Sequence, residues 1–360
     1  MTTAIEPRRP SAGARDIVNG IVAIGVKELR GRMRGRRAFV GLTVHLILVA
    51  GFAWMVESFA ERAAAFGGTF SASADIGREL FSALAGLLTV IVLILAPAST
   101  AGAISLEREK QTLDLLATTP ISSLAIVLGK LLSALTWVFL LLLASIPVMA
   151  LVFTFGGVGP EDLVRAYVVL IGTAFAFGAL GLFVSALVRR TQAATMINLV
   201  TTIALTFGAT IFFVFWSTIG SSNTVDPQTG EIRDTSTSPF RRPPEALMYF
   251  NPIVAQIDVL CGTDSTGFGT ACSIVAGVTG TNLNTFNSVP QPSGVLDNSS
   301  APLGLARDTY WPKSVLVMAI VSLLLIMGSA QLVTPTRRWR LRPVPKEAGP
   351  VPAGRGPGAA

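Results

Sequence analysis

The stretch SLEREKQTLDLLATTPISS, residues 105–123, sets Glu107, Arg108, Glu109 and Lys110 in four consecutive positions. Fixed charges of both signs on so short a segment suit ion pairing and hydrogen bonding to a partner surface. Catalysis is poorly served elsewhere. The only histidine is His45, inside an apolar run, where helix packing accounts for it, and no serine stands in a motif that would use it as a base. Gly129-Lys130 is followed by Leu131 rather than Ser or Thr, so this chain has no phosphate loop for ATP.

Residues 106–117 are strong helix formers, and Lys110 and Asp114 stand at i, i+4. Leu113, Leu116 and Ala117 give the segment an apolar edge. Pro120 stops it, having no N–H and restricting Thr119 before it. A plain polar hairpin needs only a few residues. A helix here, tied at both ends to apolar runs, can instead pass movement from a soluble partner into them.

Those apolar runs dominate the chain. Of 360 residues 51% are hydrophobic and 14% charged, with a mean hydropathy of +0.61, too apolar for a soluble domain. A spanning helix takes about 20 mostly apolar residues. Six such helices are expected, at 38–57, 80–104, 124–155, 163–188, 193–217 and 312–334, with Pro97 and Pro147 kinking the second and third. The fold class is all-α integral membrane. With six spans, one side carries twenty Lys and Arg and the other eight. Both termini are therefore expected in the cytoplasm of a multi-pass cell-membrane protein. The basic excess comes with no nucleic-acid recognition motif. No charge sits mid-span, as ion-coupled transporters usually require, and no filter or charge ring marks a channel.

Residues 1–15 read as a disordered tail. A helix from Asp16 to Arg37 places Lys27, Arg30, Arg34 and Arg37 beside an apolar stripe, suited to lie at the inner interface with anionic headgroups. Span one is expected to end near Glu57, before a polar loop over 58–79. Residues 218–311 form a large outer loop, poor in charge. Within it, 251–261 reads as a short amphipathic helix outside the spans, too short to cross but able to dip back into the outer leaflet, with Asn251 as N-cap, Pro252 at the first helical position and Gly262 past the end. Cys261 and Cys272 both fall in this loop, where a disulfide is permitted. Residues 335–360 read as an unstructured cytoplasmic tail.

Taken together, Glu107 to Lys110, Thr112-Leu113-Asp114-Leu115-Leu116, Thr119-Pro120-Ile121-Ser122 and Gly129-Lys130-Leu131 resemble the membrane subunits of ABC-2 type transporters. The likeness extends to the interfacial helix, six spans, and Asn251-Pro252 in a short helix before the last span. It covers about 16–262 and span six, whereas 263–311 departs from a compact loop. The resemblance implies an ABC-2 type exporter fold with 106–119 as a coupling helix. Glu107, Arg108, Glu109 and Lys110 would dock on a cytoplasmic ATPase, and Leu113 and Leu116 would fill its pockets. It also implies a second permease subunit, identical or different. ATP and magnesium would be held by the partner ATPase and no cofactor by this chain, which would be no enzyme. The rival class is a polytopic membrane scaffold or envelope-maintenance protein without transport.

Overall fold

The computed structural model describes residues 22, 25–26, 36–65, 73–111, 123–220, 224–225, 232–233, 245–261 and 310–333. Among them, six helical stretches are long and apolar enough to cross a membrane. Helix α1 runs Arg36–Ala65, α2 Ser73–Thr100, α3 Ser105–Glu109, α4 Ser123–Ala150 and α5 Pro160–Leu187. The fifth span is composite: α6 (Thr191–Ile203), a π-helical turn (Ala204–Gly208), then α7 (Ala209–Gly220). A short helix, α8 (Pro252–Cys261), precedes the last span, α9 (Trp311–Val333). Two residues each of β1 (Thr224–Val225) and β2 (Ile232–Arg233) pair antiparallel.

The helix α5 is the central post. It packs against α2, α4, α6, α8 and α9, and 72% of its apolar window is buried, against 17% for α1. Its sequence explains this. The run GTAFAFGALGLF (172–183) presents small residues that let neighbouring backbones approach, which is how helices associate where lipid removes the hydrophobic drive. By contrast Phe39, Val44, Ile47, Trp54 and Phe59 of α1 remain exposed, as a lipid-facing side requires. His45 lies on its buried side, where Nε2 bonds the Leu141 carbonyl of α4 at 3.2 Å.

Several boundaries differ from the sequence expectation. The helix of span one does not stop near Glu57: α1 continues to Ala65, because Phe-Ala-Glu-Arg-Ala-Ala-Ala is a good helix in water as well as in lipid. The next helix starts at Ser73, so most of the expected outer loop over 58–79 is helical. Between α4 and α5, Gly156 and Gly157 both adopt φ of 82°, and a side chain on Gly157 would run into the Ala74 backbone of α2. Arg78 Nε donates to the Gly157 carbonyl (3.2 Å), locking that turn to α2.

The amphipathic helix expected outside the spans has sunk between them. All of α8 but Ile253 and Ile257 is buried, against α2, α5 and α9. The cost of burying its polar ends is met by named partners. Asn251 Oδ1 accepts from Ile253 N (3.0 Å), the expected cap. Asp258 Oδ2 accepts from Trp311 N (3.0 Å), Tyr310 O–H donates to the Met248 carbonyl (2.6 Å), and Ser314 O–H to the Tyr249 carbonyl (2.6 Å). Burial, then the nearby Asp258 charge, push the Tyr310 phenol up, which keeps it a donor.

Candidate cytoplasmic coupling site

The charged run does not present one face. In an α-helix successive residues point about 100° apart, so Glu107, Arg108 and Glu109 fan out. The fan meets a different span at each position. Glu107 pairs with Lys130 of α4 at 2.6 Å, with Lys130 only 3% exposed. Arg108 Nη1 donates to the Ala186 carbonyl at the end of α5 (3.1 Å). Glu109 accepts from Thr191 N (2.7 Å) and Thr191 Oγ1 (2.9 Å) at the start of α6.

A fourth tie enters from below. Ser185 Oγ accepts from the backbone N–H of both Ile104 and Ser105 (3.0 Å each), the first donors of α3. Those N–H groups have no helical partner of their own. The sequence offers no signal for Ser185, one hydroxyl in an apolar span, nor for Thr191, which follows two arginines.

The helix is shorter than expected. It ends at Glu109, and Gln111 takes φ of 56°, the left-handed conformation that closes helices. Leu106, Lys110 and Gln111 stay exposed to water. Leu113 and Leu116, with the rest of the segment over 112–119, lie outside the described residues. So do Lys27, Arg30 and Arg34 of the expected interfacial helix. Val22, Gly25 and Val26 of that helix are helical, and Arg37 is the second residue of α1.

Inside the bilayer, a second polar array runs along the fifth span. Asn198, Thr202, Thr206 and Thr210 recur every four residues. Asn198 Nδ2 donates to the Pro97 carbonyl of α2 (2.9 Å). Asn251 Nδ2 donates to the Thr206 carbonyl in the π turn (2.8 Å) and to Thr210 Oγ1 (2.7 Å). Asn251 thereby anchors α8 to the fifth span and caps it at once. Asn251→Ala should cost about 2 kcal/mol, the sum of a lost cap and buried donor partners. Asn251→Asp should recover the cap share only. A detergent melting curve of the three proteins checks the order.

Among the described residues no cluster of three or more His, Cys, Asp or Glu could hold a metal ion. What the chain does hold is a short helix between two spans, bonded to three of them. The family model described as ABC-2 family transporter protein matches residues 22–279. The chain belongs to the ABC-2 family of transporter proteins. A comparison with curated proteins finds no match. As an ABC-2 membrane subunit, it is a multi-pass permease whose matched region takes in α3, the spans α1 to α7 and the inserted helix α8. Cys261 ends α8 and is 3% exposed; Cys272 lies outside the described residues.

Proposed function

We propose that this ABC-2 subunit couples ATP hydrolysis by a separate cytoplasmic ATPase to export of a substrate across the cell membrane. It would do so as one of a pair of permease subunits, with both termini in the cytoplasm. ATP and magnesium would sit in the partner, since this chain carries no phosphate loop. The observation that carries the proposal is α3 itself, a short helix between two spans bonded to α4, α5 and α6. The excess of Lys and Arg on the α3 side supports the orientation, with Lys27, Arg30, Arg34 and Arg37 at anionic headgroups.

Glu107 and Arg108 bond within the chain and Glu109 reaches α6, whereas Leu106 and Lys110 are exposed. This favours Leu106 and Lys110 as docking residues, beside Leu113 and Leu116 of the sequence-based set. A tagged chain purified in mild detergent should bring with it a P-loop ATPase that hydrolyses ATP. Leu106→Asp with Lys110→Glu should abolish that capture while the permease stays monodisperse. A chain that purifies alone, with no ATP hydrolysis, removes the lever's partner and leaves the scaffold class.

We also propose that Cys261 bonds Cys272, the only other cysteine in the chain. Neither should react with maleimide in the denatured protein until reductant is added. Two alkylated thiols without reductant would show the bridge to be absent.

A further inference from the structure

We propose that Glu109 is the positioning residue that converts displacement of α3 into movement of α6 in particular. The inference rests on the ATPase-coupled function above and names the route within this chain. Three charged side chains leave α3, and each binds a different span. The buried share is 72% for α5 and 39% for α4, but 22% for the span that α6 begins. With the least packing of the three, the start of α6 depends most on the tie that α3 supplies.

The bond to α6 is built to carry that load. Arg190, at the N-cap position of α6, makes no side-chain capping bond. The capping acceptor comes instead from another element. Both Glu109 oxygens engage Thr191, one at the backbone N–H and one at the hydroxyl. A carboxylate there meets the positive end of the helix as well as its unpaired donors. A local N-cap would stabilise α6 equally well, yet would bind it to nothing. The acceptor placed on α3 makes the start of α6 follow α3. The same choice explains why an acidic residue can stand in full solvent contact beside a docking surface without itself docking.

The test uses the permease co-purified with its ATPase and reconstituted in lipid. Hydrogen exchange is read on the peptide spanning Thr191 to Met196, with and without ATP plus vanadate. In the parent protein the nucleotide should change exchange there. Glu109→Ala should keep the ATPase bound within about twofold but shrink the nucleotide response severalfold, because both bonds to Thr191 are lost. The double variant Glu109→Ala with Arg190→Ser supplies a local cap without the link. It should return basal exchange to the parent value and leave the nucleotide response small.

Three results would overturn the proposal. If Arg190→Ser restores the response, Glu109 is only a cap. If Glu109→Ala releases the ATPase, it is a docking residue. If the response persists in Glu109→Ala, α6 is driven by another route. All three need the ATPase present, so they are distinct from failure of the coupling function, in which no ATPase accompanies the parent chain and no response exists to transmit.

Discussion

Lys130→Met should destabilise the folded subunit by about 3 kcal/mol, the low end for removing one partner of a buried ion pair. The low end applies because burial is one-sided: Lys130 is 3% exposed and Glu107 27%. The methionine fills the lysine stem's volume, so packing is held nearly constant and the charge alone is lost. The 2.6 Å contact then has a carboxylate and no ammonium, near the start of α4. Adding Glu107→Gln should recover most of the loss, since the uncompensated charge is the main cost. Thermal melting of the three proteins in one detergent decides it. Equal melting of Lys130→Met and parent would mean that water already compensates the pair and that α3 is not held to α4 electrostatically.

Gly181→Ala is expected to be about as damaging, although it adds one methyl group. The added carbon would lie 2.8 Å from Asn198 Nδ2 and 2.9 Å from the Pro97 carbonyl, and would clash with Thr100 Oγ1. Two of these three atoms form the hydrogen bond joining α6 to α2. One is backbone on a proline-containing helix and cannot rotate away. The methyl group must either force α2, α5 and α6 apart or break that bond. Overpacking costs about 1–3 kcal/mol, and the lost buried bond adds about 1 kcal/mol. Gly86→Ala provides the opposite sign. Nothing lies within 4 Å of its added carbon, and alanine is favoured over glycine inside a helix by about 1 kcal/mol. Size-exclusion recovery after heating should fall for Gly181→Ala and hold or rise for Gly86→Ala. Equal recovery of the two would refute the three-helix contact.

The sequence made the spans legible because each is a long run without charge, and length with composition is enough to identify a membrane helix. Its errors at the ends of α1 and α2 share one cause. Glu57, Glu61 and Arg62 read as the start of a loop, but charged residues continue a helix readily once it leaves the lipid. The placement of α8 was missed because its apolar positions fit an amphipathic surface helix. Asn251, Asp258, Tyr310 and Ser314 hold that helix inside, and all four of those contacts cross more than forty residues. No local pattern encodes such contacts. At α3, the charged run was evident but its division among three spans was not. Helical geometry alone rules out one shared face for Glu107, Arg108 and Glu109. Which span each would meet depended on Lys130, Ala186 and Thr191, brought there by the fold.

The π turn at Ala204–Gly208 sets the angular phase of the fifth span. Residues four apart on an α-helix advance about 40° around its axis at each step. The polar series from Asn198 to Thr210 would therefore spiral away from its neighbours over three steps. A π turn takes one more residue than an α turn and winds the series back. Asn198 can thus face Pro97 at one end while Thr210 faces Asn251 at the other. Length and rotation are therefore set by different residues in this span. Removing one residue from 204–208 would barely shorten it, but would turn the Phe212–Trp216 edge about 100° toward a different neighbour.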